Sequence, residues 1–188
     1  MPSPLDLFLG DSAEDVDLDA REDEASENLR ALVSPEAYGI DDCDVTDVVE
    51  VNEGPDGEPI VVPVARFSLG KAKESPDLDV VWDLAYDAVR AMYPAFEDVF
   101  VRHYDVQFAF GGSGLFDTES CRRMAVTREI ADRAVTEAGW HVSDFEDAML
   151  EGHDIDDEIA PVAWGECKDY DQGPYGGGAA GAAGAGGF

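Results

Sequence analysis

The spacing of apolar residues changes several times along this chain, and each change marks a predicted element. Leu29, Leu32 and Val33 recur at helical spacing, and Pro35 ends that short helix. From Val45 the period becomes two. Val45–Val51 and Ile60–Leu69 flank Gly54-Pro-Asp-Gly57, a turn signal that predicts a β-hairpin. Pro63 cannot donate to a ladder, so an edge position or a bulge is expected there. Ser75 is a suitable N-cap with Pro76 at the first helical position. Leu78, Val81, Trp82, Ala85, Val89 and Met92 then form one apolar stripe, Asp79, Asp83, Asp87 and Arg90 lie opposite, and Pro94 ends the helix.

A strand over Val99–Phe110 alternates clearly: Tyr104, Val106, Phe108 and Phe110 share one face, and His103, Asp105 and Gln107 share the other. Gly111-Gly-Ser-Gly114 turns the chain, and Glu119–Thr127 returns as an antiparallel partner with Met124 and Val126 inward. Thr127 caps a helix carrying Ile130, Ala131, Ala134, Val135 and Ala138, closed by Gly139. Ser143-Asp-Phe-Glu146 is a capping-box pattern opening a last helix, with Phe145, Ala148 and Met149 inward. The order implies an α+β domain: a mainly antiparallel sheet of about four strands with two to three helices on one face. The domain is expected over residues 28–172, between a mobile acidic arm (1–27) and a flexible Gly/Ala-rich tail (173–188).

Charge changes this picture. The 188 residues carry 43 acids against nine Arg and three Lys (Lys71, Lys73, Lys168), a formal net charge of −31. Such a chain repels itself in dilute buffer, and molar salt removes the problem by shortening the Debye length to about 3 Å. Depleted Lys, retained Arg and carboxylates along the whole length resemble the proteins of salt-accumulating haloarchaea. That resemblance implies an environment with abundant solvent cations and leaves the activity open. One stretch departs from the rule: residues 102–133 hold five acids and five bases, so they are neutral amid acidic surroundings.

Cys43, Cys121 and Cys167 are far apart and form no CxxC pair, which predicts reduced structural thiols and a cytoplasmic location, or a virion if the protein is viral. The start MPSPLDLFLG lacks the basic end and long apolar run of a signal peptide, and no apolar run predicts membrane insertion. Asp15-Val-Asp-Leu-Asp19 resembles the start of a calcium loop, but Ala20 stands where glycine is required and Ser26 where the bidentate acid belongs. No metal site and no cofactor are predicted.

Three groups of residues carry candidate chemistry. His103 and Asp105, projecting from one strand face, could act as an acid–base pair, the carboxylate orienting the imidazole. Gly112 and Ser113 in the glycine turn, with Arg122 or Arg123, could hold an anion through backbone amides and guanidinium forks. Arg102, Arg123 and Arg128, with the terminal Phe188, could instead form a protein interface, since the neutral segment is the least repulsive surface for a second chain. Its two strands could also accept a partner strand at their edge. Arg133 is expected to pair with Glu129 or Glu137. Nucleic acid is disfavoured as a partner, because no basic helix stands out and high salt strips the phosphate-contact contribution. The expectation is a non-enzymatic interaction or assembly subunit of a haloarchaeon or its virus, binding itself or another protein. The alternative is a small ligand-binding protein or enzyme with an anion site near Gly111–Gly114 and Arg122/Arg123, served by His103 and Asp105.

Overall fold

The computed structural model describes residues 16–71, 74–112 and 118–170. Helix α1 (Leu18–Leu32) and the single turn α2 (Pro35–Tyr38) precede strands β1 (Asp42–Glu53) and β2 (Pro59–Ser68). Helix α3 (Leu78–Met92) and a 3-10 turn (Tyr93–Phe96) lead to β3 (Phe100–Val101) and β4 (His103–Phe110). Strand β5 (Ser120–Thr127), helices α4 (Arg128–Thr136) and α5 (Val142–Glu151), and β6 (Val162–Glu166) complete the described chain. The α+β class holds, with six strands among the described residues rather than about four.

The strand order is β1-β2-β4-β5-β6, with β3 beside β2. Three pairings are antiparallel, but β2 runs parallel to both β3 and β4, so the sheet is mixed. Helix α3 supplies the crossover that parallel neighbours require. The expectation at Pro63 resolves as a bulge: β2 is flanked on both sides, and its parallel register slips by one residue between Val61↔Val101 and Val64↔Asp105. Pro63 falls in that gap, where a missing N–H breaks no ladder bond.

Alternation in β1, β2, β4 and β5 sends Cys43, Val45, Val61, Phe67, Tyr104, Val106, Phe108, Met124 and Val126 into one core with α3. Three helix starts bear on the sequence expectations. The α3 cap is Asp77, whose carboxylate accepts the Asp79 N–H at 3.1 Å, two residues after the expected Ser75. Thr127 caps α4 as expected, its Oγ1 accepting the Ile130 N–H at 3.2 Å. At α5 the cap is His141, and the Asp144 carboxylate accepts its N–H at 2.9 Å, two residues ahead of the expected box.

The expected mobile arm is corrected over its second half. Residues 18–27 are helical, and Ala25, Ser26 and Leu29 are buried against β1 and α3. The Ser26 hydroxyl donates to the Val45 carbonyl at 3.2 Å, and Arg21 reaches Asp98 at 2.8 Å. An acidic helix needs only a narrow stripe of small and apolar residues to dock, and alanine and serine hid that stripe in the sequence. Asp17 is the helix cap, so the stretch with a calcium-loop likeness starts a helix instead. The tail from 173 and the first fifteen residues lie outside the described residues.

The neutral character of residues 102–133 has a structural cause. All eight residues of β4 are buried, and so are Arg123–Val126 of β5. Central strands covered on both faces have no room for solvated carboxylates.

Candidate functional site

On the sheet face opposite the helices, β4 presents His103, Asp105 and Gln107, as alternation predicts. That face is not a half-exposed polar surface. All three side chains are buried, together with Arg123 from β5. Register explains the meeting: Gln107 lies opposite Arg123 and Asp105 opposite Ala125, so the guanidinium reaches Asp105 diagonally across the strand pair.

Each nitrogen of the Arg123 guanidinium donates a hydrogen bond. Nη1 donates to Asp105 Oδ2 at 2.9 Å, Nε to the Glu166 carbonyl at 3.0 Å and Nη2 to the Asp157 carbonyl at 2.8 Å. The Tyr170 hydroxyl donates to the same Asp105 oxygen at 2.5 Å and lies 3.1 Å from His103 Nε2. The imidazole nitrogen itself is 3.8 Å from that oxygen. Burial alone would push the Asp105 carboxyl up. The neighbouring His103 imidazole, the Tyr170 hydroxyl bond and the Arg123 charge outweigh it and hold the carboxyl below the usual carboxylate range. Burial first, then the Asp105 charge, pushes the Tyr170 phenol well above its ordinary value. Asp105 Oδ1 is buried with no hydrogen-bond partner.

The lid over this cluster is the segment from Cys167 to Tyr170, a strap that leaves β6 and crosses the sheet. Gln107 Nε2 donates to the Lys168 carbonyl at 3.2 Å. Cys167 is bonded to Cys121 of β5, with a Cα–Cα distance of 5.6 Å. The expectation of reduced thiols is therefore corrected for this pair. Cys43 remains a buried free thiol, and burial raises its pKa. Between strap and sheet lies a cavity of about 330 Å³, lined by Thr46, Val64, Arg66, Gln107, Lys168 and Tyr170 among others.

The chain between α5 and β6 forms a second ordered feature. The Asp154 carboxylate accepts the N–H groups of Glu158 (3.0 Å) and Ile159 (2.9 Å), and the Asp154 N–H donates to the Pro161 carbonyl at 2.9 Å. The Ile159 N–H above all lowers the Asp154 pKa, and those of Asp156 and Glu158 add to it. His153 Nδ1 accepts the Ala163 N–H at 3.1 Å. Asp157 adopts a left-handed φ of 58°, which turns its carbonyl onto Arg123. Gly165 permits this approach, since a Cβ there would come within 2.9 Å of the Asp157 carboxyl carbon. The loop is thus pinned from within and from below, yet Ile155 is 89% exposed and Ile159 69% exposed.

The remaining sequence candidates disperse. Arg122 lies on the opposite face of β5 from Arg123, as alternation requires, and lines a separate cavity with Phe110 and Glu166. Gly112 has φ +82° and packs against the Glu119 backbone, while Ser113 lies outside the described residues. Arg128 donates to the carbonyls of Phe96, Glu97 and Val99 and sits over the Tyr93 ring, so it holds the turn before β3. Arg102 is exposed, and Phe188 lies outside the described residues. Arg133 pairs with Glu137 at 3.0 Å, as the spacing predicts, and stacks over Trp140. Two of the expected interface arginines, Arg123 and Arg128, are thus tied up inside the fold. Neither β4 nor β5 offers a free edge, because each is paired on both sides.

Tyr170, Asp157 and the carbonyl of Glu166 were not anticipated from the sequence, and each depends on β6. The disulfide follows from the same strand: Arg122 opposes Glu166, so the next pair in an antiparallel ladder is Cys121 and Cys167. Among the described residues, no group of three metal-ligating side chains gathers, and no helix is long and apolar enough to cross a membrane. No protein-family model matches this chain, and a comparison with curated proteins finds no similar one.

Proposed function

We propose that this chain is a protein-binding subunit of a salt-adapted haloarchaeon or its virus, acting without catalysis of its own and recognising its partner through the loop over residues 153–161. One observation carries the reading: a loop fixed by its own hydrogen bonds holds two isoleucines in solvent. Ordering apolar residues at the surface loses solvent entropy without burial, so such a display is explained by a partner that covers it. Four carboxylates around the two isoleucines (Asp154, Asp156, Asp157, Glu158) keep the loop soluble between encounters.

The alternative of an anion site at Arg123 has less support. An incoming phosphate or carboxylate would have to displace Asp105 and two backbone carbonyls from the same guanidinium. The buried pair instead works as a fastener, joining β4, β5, the 153–161 loop and the end of β6 from one point.

The test is the assembly state of tagged chain purified from a salt-adapted host in molar KCl, read by size-exclusion light scattering. Wild type should form an assembly with itself or a second protein, and Ile155→Ser/Ile159→Ser should dissociate it without lowering the melting temperature. A monomeric wild type without a partner, or an assembly indifferent to both isoleucines, overturns the reading.

A further inference from the structure

We infer that the cavity beside Arg122 binds a free α-amino acid with an apolar side chain, its carboxylate on Arg122, its ammonium on Glu166 and its side chain against Phe110. The cavity has a volume of about 450 Å³ and is lined by these three residues with Ser120 and the Cys121–Cys167 disulfide. Strand register builds it. Arg122 lies opposite Phe108 of β4 on one side and opposite Glu166 of β6 on the other. Directly opposed residues project from the same face, so an aromatic ring, a guanidinium and a carboxylate stand abreast across three strands. Phe110, opposite Ser120, belongs to the next same-face pair along β4 and β5. Trp164 packs on both rings, 5.8 Å from Phe108 and stacked 6.5 Å from Phe110, and so fixes the aromatic wall.

Neither charge has a partner among the described residues. Six arginines form ion pairs with carboxylates. Arg128 donates to backbone carbonyls, and Arg102 is exposed to water. Arg122 alone is partly buried with neither an ion pair nor a side-chain hydrogen bond. Its cross-strand neighbour Glu166 is a carboxylate, in a chain whose acids outnumber its bases by 43 to 12, and still the two do not pair. Both line the same cavity instead.

A lone anion is drawn to Arg122 but repelled by Glu166, and a lone cation meets the reverse. A zwitterion satisfies both. The two charged groups of an α-amino acid lie about 3 Å apart. One molecule can therefore reach two side chains from directly opposed strand positions, whose Cα atoms are about 5 Å apart. The planar guanidinium fits the carboxylate as a bidentate fork, and the Glu166 carboxylate accepts from the ammonium. What remains of the ligand meets Phe110, so an apolar side chain gains by leaving water. Partly buried charges are screened less by salt than exposed ones, which keeps such a site effective in molar KCl. Binding is noncovalent and does not depend on the 153–161 loop.

The full chain in molar KCl would be titrated by isothermal calorimetry with leucine, methionine and phenylalanine, and with glycine and aspartate for comparison. At least one apolar amino acid should bind one-to-one with a Kd below about 1 mM, and at least about tenfold more tightly than glycine or aspartate. Its N-acetyl form lacks the ammonium and its amide lacks the carboxylate. Each should bind at least about tenfold more weakly, the loss of one charge-assisted hydrogen bond. Arg122→Met and Glu166→Gln should each weaken the parent amino acid to a similar degree, whereas Arg102→Gln, at an exposed position, should not. The derivatives act on wild type, so they decide the question even where a variant folds poorly. No binding by any of the three apolar amino acids overturns the proposal. So does a derivative, or glycine, as tight as the parent, because the cavity would then read a single charge or no side chain. Binding indifferent to Arg122→Met overturns it as well, since the ligand would sit elsewhere.

Discussion

Asp105 and Arg123 carry opposite charges at 0% and 1% side-chain exposure, so neither tolerates loss of the other. Breaking a buried pair from one side leaves an uncompensated charge and costs about 3–5 kcal/mol. Asp105→Asn should therefore lower stability by about that amount in thermal melts at neutral pH. The pH dependence follows from the direction of each shift. Asp105 has its folded pKa below the unfolded value of about 3.9, so its contribution is complete above about pH 4 and is lost as pH falls through the folded value. The gap between wild type and Asp105→Asn should accordingly narrow in acid. Tyr170 is shifted upward, so its contribution is complete below about pH 10 and is lost above it. Melts of Tyr170→Phe should converge on wild type, or pass it, at high pH. His103, Asp105 and Arg123 were all visible in the sequence as candidate residues, and alternation placed His103 and Asp105 on one face of β4. Their burial was not visible, because the cover comes from residues 157 and 166–170, far along the chain.

Local patterns predicted the elements well where one stripe or one alternation ran long. Helix α3, the β1–β2 hairpin, β4, β5 and the Thr127 cap all show this. One element was missed and another was read only at its end, for different reasons. Strand β6 is five residues, Val162-Ala-Trp-Gly-Glu166, too short for alternation and interrupted by glycine. Helix α1 packs through alanine and serine as well as Leu29, and its carboxylates masked the stripe. The glycine that obscured β6 is needed for the loop above it. Gly165→Val should push Asp157 off Arg123, because its Cβ would already lie 2.9 Å from the Asp157 carboxyl carbon. Hydrogen exchange at residues 156–159 should then quicken while α3 is unaffected; unchanged protection would show that the loop does not depend on this approach. For α1, Leu29→Ala should cost about 2–5 kcal/mol, as a fully buried leucine does. A loss well under 1 kcal/mol would mean that the helix is only loosely attached.

A net charge of −31 makes self-repulsion a property of the whole molecule. Its neutral stretch marked the centre of the sheet rather than an open surface, because a mixed sheet buries its middle strands on both faces. Elsewhere the carboxylates face water and repel one another over about 10 Å at low salt and about 3 Å in molar salt. Melting temperature should therefore climb steadily across a KCl series, and a flat series would remove the salt-adapted reading. Screening also sets when partners can meet, since like-charged chains approach closely only once their fields are damped. Recognition through the 153–161 loop is then best tested by a hydrogen-exchange footprint of the assembled protein in molar KCl, compared with the Ile155→Ser/Ile159→Ser form. The account predicts slowed exchange confined to residues 153–161 and their immediate neighbours, absent in the variant. Slowed exchange at other surfaces with this loop unchanged would contradict it.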